Sequence, residues 1–297
     1  MKRSILYFWC FFVFLSSGMT LHAQNNTSFP EKWKASQKKA DGIAFEYTSK
    51  YPEVKHYKTV YKHFHDSISN EEILLDMFIE IPDGDGPFPV VVFVHGGGFI
   101  TGDKSNFTPQ TFALALNGVV GISIEYRLKG HGGNYASYIA DVTDAIDFVR
   151  KNSKNYKIDF SNMGLAGGSA GAYLSSLAAM RTPECTCYIG YNGVYDISGK
   201  SLPGVADETR DTFSPILQIK TPPPATLLLH GKEDTTVDHQ QSILFAKSIR
   251  EKGGNAEVIL YDGQKHGFFN KEPYLTQTTD ALVKHVLKVF KLVGREK

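Results

Sequence analysis

The sequence predicts an α/β fold in which a mostly parallel, eight-stranded sheet carries helices on both faces. Three observations lead to this prediction. Strand-like and helix-like segments alternate along most of the chain, with short loops between them. Residues 89–94 form a nearly continuous β-branched run, which is typical of a strand buried on both faces of a parallel sheet. Residues 167–171 form a glycine-serine turn between a short apolar strand and an alanine-rich helix.

The elements follow from hydrophobic periodicity and turn residues. Strands are predicted at residues 60–64, 74–81, 89–94, 119–126, 163–166, 187–191, 225–229 and 258–261. Helices are predicted at residues 111–116, 140–151, 170–180, 238–251 and 275–292. We expect Asp141 and Asp144 to serve the N-terminal end of their helix, where the helix dipole favours negative charge.

The turn at residues 167–171 has the pattern Gly-x-Ser-x-Gly, with Ser169 at its centre. A strand that turns into a helix within a few residues leaves almost no room for side chains two positions before and after the serine. Gly167 and Gly171 meet this requirement. The serine at such an elbow has a strained backbone and an exposed hydroxyl, so Ser169 is the candidate nucleophile.

A second glycine-rich loop follows the strand at residues 89–94 and begins with His95. Consecutive glycines let backbone N–H groups approach a reacting oxygen closely. We therefore expect the amides of Gly97 and Gly98, with that of Ala170, to form an oxyanion hole.

An acid and a histidine follow two later strands. Asp234 lies just beyond the strand at residues 225–229, and His266 lies on the loop after the strand at residues 258–261. The order serine, acid, histidine is that of the α/β-hydrolase fold, so Ser169, Asp234 and His266 are the predicted catalytic triad. Glu233 and Asp238 are the nearby alternatives for the acid.

These motifs together resemble the HGGG-type esterases of the hormone-sensitive-lipase and acetyl-esterase branch, and more narrowly the bacterial acetyl-xylan and feruloyl esterases. The motifs that carry the resemblance are residues 95–99, 125–128, 167–171, 230–234 and 266–268. The resemblance covers residues 74–290 and implies a serine carboxylesterase. Gly168 and residues 129–133 depart from the usual pattern of the group.

Composition is consistent with one catalytic domain, which we assign to residues 58–297. The 297 residues are 42% hydrophobic and carry a formal net charge of +1. This charge gives no basic field to attract nucleic acid or anionic membranes. No metal-binding motif is present, and His63 and His65 fit an exposed strand face better than a metal site. We expect no cofactor, and the oligomeric state stays open.

The first 23 residues have the pattern of a cleavable secretory signal. Lys2 and Arg3 precede an apolar run at residues 5–15, which is too short to span a bilayer as a helix. With the resemblance, this predicts export to a bacterial periplasm or the medium, without stable membrane insertion. Residues 24–57 form an N-terminal arm that either covers the site as a helix or is an exposed leader. Cys185 and Cys187 are expected to be reduced structural thiols.

The residues alone predict hydrolysis of carboxylic esters. The resemblance and the predicted signal imply acetyl or hydroxycinnamoyl esters on polysaccharide fragments as substrates. A broad small-ester or lipid carboxylesterase and a prolyl-oligopeptidase-like peptidase are the alternative enzymes, and a silent binding protein on the same scaffold is the alternative class. Ala170 disfavours the peptidase, in which an aromatic residue usually follows the serine.

Overall fold

An eight-stranded sheet forms the centre of the molecule, with strand order β1-β2-β4-β3-β5-β6-β7-β8. The computed structural model describes residues 28–66, 68–198 and 206–292. The strands are β1 (Lys55–Asp66), β2 (Glu71–Ile81), β3 (Phe88–Val94), β4 (Val120–Ile124), β5 (Ile158–Gly168), β6 (Cys185–Tyr191), β7 (Ala225–Gly231) and β8 (Ala256–Tyr261). β2 pairs antiparallel with β1 and β4, and every other pairing is parallel.

Helices cover both faces of this sheet. They are α1 (Phe29–Lys50), α2 (Thr108–Leu116), α3 (Tyr135–Lys151), α4 (Ala170–Arg181), α5 (Gln240–Glu251) and α6 (Tyr274–Val289). Apolar side chains of α3, α4 and α5 pack in one core with β2, β3 and β4. Side chains of α2 and α6 belong to a second core with β3, β6 and β7. The predicted fold class is therefore confirmed, and no helix among the described residues is long and apolar enough to cross a bilayer.

Asp141 and Asp144 do not lie at the start of their helix, so the role predicted for both was wrong. α3 begins at Tyr135, where Asn134 caps the helix by accepting from the backbone N–H of Ser137 at 3.0 Å. Asp141 instead accepts hydrogen bonds from Arg127 Nε and Nη2, each at 2.7 Å, and its side chain is fully buried. The periodicity did not reveal the first turn of α3 because Tyr135 and Ser137 are partly exposed.

The N-terminal arm contains a helix that packs on the domain. Ala40 and Ala44 of α1 are buried against Phe78 of β2, which explains why small residues recur at this spacing. Trp33 packs edge-on against the ring of His131, with 4.7 Å between ring centroids. The arm is thus not an exposed leader over residues 28–50. The predicted signal at residues 1–23 lies outside the described residues.

The two predicted thiols are free and buried on β6. Burial raises the pKa of Cys185 to about 12, so this thiol stays protonated and unreactive at neutral pH.

Four parallel strands lead into the predicted site loops. The carboxyl end of β3 leads into the glycine loop, and that of β5 leads into the serine elbow. The carboxyl end of β7 leads into the loop that carries the acid, called the acid loop, and that of β8 leads into the loop that carries the histidine, called the histidine loop. Because parallel strands end at one edge of a sheet, these four loops meet there.

Candidate active site

The turn from β5 into α4 has the strained geometry expected of a nucleophile elbow. Ser169 has φ 53° and ψ −119°, a backbone conformation that residues other than glycine rarely adopt. A Cβ atom on Gly171 would lie 2.0 Å from the carbonyl oxygen of Val94, and one on Gly167 would lie 2.4 Å from that of Gly171. Both positions therefore require glycine, because α4 could not otherwise approach β3 and β5 this closely.

The glycine loop after β3 lies directly beside this elbow. A Cβ atom on Gly96 would lie 2.8 Å from the carbonyl oxygen of Gly168. Gly97 and Gly98 have φ values of 113° and 61°, and both line the cavity at Ser169. Among the described residues, no acceptor receives a hydrogen bond from the N–H of Gly97, Gly98 or Ala170. These donors are available to a ligand.

The structure brings the three predicted triad residues into one hydrogen-bonded chain. His266 Nε2 lies 2.9 Å from Ser169 Oγ, and His266 Nδ1 lies 2.7 Å from Asp234 Oδ2. A carboxylate only accepts hydrogen bonds, so Nδ1 carries the hydrogen and Nε2 of a neutral imidazole presents its lone pair to the serine. This arrangement can transfer a proton from the hydroxyl to His266.

Asp234 is held rigidly and kept ionised. Its side chain is fully buried, and Oδ1 accepts from the backbone N–H groups of Thr236 at 2.8 Å and Val237 at 3.0 Å. Burial favours the neutral acid, but hydrogen bonds from His230, His266 and Val237 outweigh it and hold the pKa of Asp234 below its ordinary value. The carboxylate can therefore stabilise a charged imidazole.

The two alternative acids do not contact His266. The side chain of Asp238 is 58% exposed, and its Oδ1 accepts from the backbone N–H of Gln240 at the start of α5. Glu233 is exposed on the same loop. His63 and His65 are exposed on β1, and no group of metal-binding side chains occurs among the described residues.

A cavity of about 320 Å³ opens over Ser169 and His266. Phe107 and Phe269 stack at 6.1 Å between ring centroids and form its apolar part. A Cβ atom on Gly168 would lie 2.9 Å from Cζ of Phe269 and 3.3 Å from Cζ of Phe107. Glycine before the nucleophile thus lets both rings close the cavity at the elbow. Asn106, Thr236 and Asn270 add polar groups to its lining.

Sequence reasoning did not identify these cavity residues, nor the role of His230. His230 is fully buried; its Nε2 lies 3.0 Å from the carbonyl oxygen of Val237 and 3.3 Å from Asp234 Oδ2. His230 therefore contacts two residues of the acid loop and holds this loop in place. Its position at the end of the leucine-rich strand β7, four residues before the acid, was the only signal in the sequence.

Comparison with known proteins identifies esterases among the proteins that this chain resembles. The family model described as BD-FAE matches residues 75–201, which include the glycine loop and the elbow. The chain is 28% identical over 258 residues to the probable isoprenylcysteine alpha-carbonyl methylesterase ICME of Oryza sativa subsp. japonica, covering 72% of this chain and 60% of that protein. It is 28% identical to Esterase LipC of Mycobacterium tuberculosis, covering 66% and 57% respectively.

A solved structure shows that the likeness extends to the fold. Thermogutta terrifontis esterase 2 phosphorylated by paraoxon superposes with a TM-score of 0.70 and 25% identity, covering 80% of this chain and 95% of that one. The fold and these relatives define the class of the domain: it has the α/β-hydrolase fold and is similar to carboxylesterase-type hydrolases. The chain spans about 60% of the length of these two curated relatives.

Proposed function

We propose that the protein hydrolyses carboxylic esters by two-step acyl transfer, with Ser169 as nucleophile, His266 as general base and acid, and Asp234 as its partner. One observation carries this proposal: His266 hydrogen bonds to the serine through one ring nitrogen and to a buried carboxylate through the other. That arrangement selects the tautomer which can accept the hydroxyl proton.

In the first step, Ser169 Oγ attacks the ester carbonyl carbon while its proton passes to His266 Nε2. The carbonyl oxygen becomes an anion, and the amides of Gly97, Gly98 and Ala170 donate to it. Removing one such donor costs about 2.7 to 4 kcal/mol of transition-state stabilisation in hydrolases. The tetrahedral intermediate then collapses, and His266 gives its proton to the departing alcohol.

In the second step, water attacks the acyl-enzyme and His266 Nε2 takes its proton. The same three amides stabilise the second oxyanion, and collapse releases the acid and restores Ser169. Asp234 stays ionised throughout, because its role is to orient the imidazole and to stabilise its positive charge.

Hydrolysis of an aryl acetate by the Ser169→Ala variant tests this proposal. We expect turnover to fall to the background of the buffer while the circular dichroism spectrum stays unchanged. Ser176→Ala is the matched control, because Ser176 is buried in the same helix and donates to the carbonyl oxygen of Tyr173. A variant without Ser169 that keeps the wild-type rate would reject the assignment.

For the substrate class, we propose acetyl or hydroxycinnamoyl esters on polysaccharide fragments. The resemblance of the motifs to bacterial acetyl-xylan and feruloyl esterases supports this choice. Small alkyl esters are the second candidate, because the curated relatives include methylesterases and esterases named without a sugar substrate. Release of acetate and ferulate from xylan oligomers, compared with hydrolysis of simple methyl and aryl esters, distinguishes the two. Activity on simple esters alone would contradict the polysaccharide assignment.

We further propose that the protein is exported after cleavage near residue 23, on the strength of the basic and apolar pattern at the N-terminus. N-terminal sequencing of the protein recovered from a bacterial host tests this. A mature chain that begins close to Gln24 is expected, and a cytoplasmic protein that retains Met1 would contradict it.

A further inference from the structure

Asn192 is a buried polar residue beside His266 to which the proposed reaction gives no role. It follows β6 directly, and it is fully buried. Its backbone N–H donates to the carbonyl oxygen of Leu229 on β7 at 2.9 Å. The carbonyl oxygen just before it, that of Tyr191, accepts from the N–H of Ser169 at 2.8 Å. The end of β6 is therefore tied to the nucleophile elbow on one side and to the strand of the acid loop on the other.

The backbone of Asn192 lies in the left-handed region, with φ 48°. Residues other than glycine rarely adopt this conformation, although asparagine tolerates it better than most. Glycine would adopt it without strain, so the backbone alone does not call for an asparagine at this position. A residue that is both strained and fully buried indicates that its side chain has a function.

The side-chain amide of Asn192 lies against the ring of His266. Nδ2 of the amide lies 3.5 Å from His266 Nδ1, and the buried Oδ1 has no hydrogen-bond partner among the described residues. Asp234 Oδ2 lies 2.7 Å from the same ring nitrogen, so Nδ1 carries a hydrogen and has no lone pair to offer to Nδ2. In this orientation two donors face each other, while the only acceptor of the amide is unused.

Rotation of the amide by 180° about its terminal bond exchanges its two ends, which have the same shape. No described residue donates to Oδ1, so this rotation breaks no hydrogen bond of that atom. Oδ1 then faces the hydrogen on His266 Nδ1, at the position that Nδ2 held. Asp234 remains the nearer and the charged acceptor, and the amide oxygen of Asn192 adds a second contact to the same hydrogen.

We propose that Asn192 is a positioning residue whose amide oxygen accepts, beside Asp234, from the hydrogen on His266 Nδ1. The contact holds the imidazole in the orientation in which Nε2 meets Ser169 Oγ at 2.9 Å. It also places the negative end of a fixed dipole beside the ring when the ring becomes cationic. The catalytic part of this inference rests on the proposed esterase function, in which His266 takes and returns the proton.

The contact itself is tested by proton NMR, without any turnover. The hydrogen on His266 Nδ1 gives a low-field resonance, assigned by its loss in His266→Gln. We expect this resonance to shift in Asn192→Gly, because one of its two acceptors is gone. Asn70→Gly is the matched control and should leave it in place, since Asn70 also has a positive φ of 57° but lies between β1 and β2, away from the cavity. An unshifted resonance in Asn192→Gly would overturn the proposal.

The catalytic consequence is measured with the same two variants. We expect Asn192→Gly to lower kcat for an aryl acetate by about 3- to 10-fold with little change in KM, as for the loss of one neutral hydrogen bond that acts in the transition state. Asn70→Gly should stay within about twofold of wild type, and thermal unfolding checks that both variants are folded. A kcat of Asn192→Gly as high as that of the control would contradict the positioning role.

A carboxylate at position 192 tests the direction of the contact. Asp234→Asn removes the charged acceptor of the hydrogen on His266 Nδ1. In the double variant Asp234→Asn/Asn192→Asp, the new carboxylate faces Nδ1 from the place of the amide and outweighs the neutral asparagine, so Nδ1 regains its hydrogen. We expect kcat to rise at least about 10-fold above that of Asp234→Asn alone.

The control for this rescue is Asp234→Asn/Asn192→Gly, which removes the amide without supplying a carboxylate and should show no recovery. No recovery with the aspartate, or equal recovery with the glycine, would overturn the inference. A wild-type protein without esterase activity would instead contradict the proposed function, and the resonance of the hydrogen on His266 Nδ1 would still decide whether Asn192 makes the contact.

Discussion

Replacement of Asp234 with asparagine changes one carboxylate oxygen into an NH₂ group and leaves the size of the side chain unchanged. Oδ1 accepts from the backbone N–H groups of Thr236 at 2.8 Å and Val237 at 3.0 Å, while Oδ2 lies 2.7 Å from His266 Nδ1. Two fixed donors therefore face one oxygen. The asparagine oxygen will occupy that place, and its NH₂ group will face His266.

This orientation reverses the tautomer of the histidine. An NH₂ group cannot accept, so Nδ1 of His266 becomes the acceptor and Nε2 carries the hydrogen. That hydrogen points at Ser169 Oγ, 2.9 Å away, and the imidazole can no longer take the hydroxyl proton. We expect kcat to fall about 10⁴-fold, or about 5 kcal/mol, as the corresponding change does in a serine protease.

The assay is hydrolysis of an aryl acetate at neutral pH, with Asp238→Asn as the matched control. Asp238 lies four residues away and is exposed, so its variant should retain activity within about twofold. Thermal unfolding of both variants checks that the fold persists. The reasoning fails if Asp234→Asn keeps more than a tenth of the wild-type kcat, or if the control is equally impaired.

Three further predictions concern the fold. Gly171→Ala should yield no folded protein by circular dichroism, because its Cβ would lie 2.0 Å from the oxygen of Val94; a folded variant would contradict this close approach. Asp141→Asn should lower the free energy of unfolding by about 3 kcal/mol in urea titrations, because Arg127 loses a buried ionic partner; a change below about 0.5 kcal/mol would contradict it. The pKa of Glu125 falls from 4.5 to about 2 on folding, so its stabilisation is complete above pH 4.5 and is lost as the pH falls towards 2. Urea titrations at pH 7 and pH 3 should show a smaller loss of stability in Glu125→Gln, and an equal loss in both proteins would refute this.

The sheet and the meeting of its loops were predictable because strand burial leaves a local signature. Residues 89–94 and 225–229 are nearly all apolar, and their carboxyl ends lead to the loops that hold His95 and Asp234. The elbow was equally predictable, since Gly167 and Gly171 reflect steric limits that act within five residues. The catalytic roles assigned to these loops stay a proposal.

Other features depend on contacts between distant parts of the chain. Asp141 pairs with Arg127 across a loop, and Gln37 reaches Glu125 from 88 positions away. Nothing in a polar residue's own neighbourhood indicates such a partner. The first strand, β1 (Lys55–Asp66), is longer than predicted. It is an edge strand, and the prediction was too short because exposed polar residues interrupt its hydrophobic pattern.

The most direct test of the account is to locate the serine that reacts with an organophosphonate. Wild-type protein treated with a fluorophosphonate probe should gain one adduct, mapped by mass spectrometry of peptides to Ser169, and should lose aryl-acetate turnover in proportion to labelling. Asp234→Asn should label far more slowly because its histidine cannot accept the proton. Labelling at another residue, or full turnover by a protein fully labelled at Ser169, would contradict the assignment of this site.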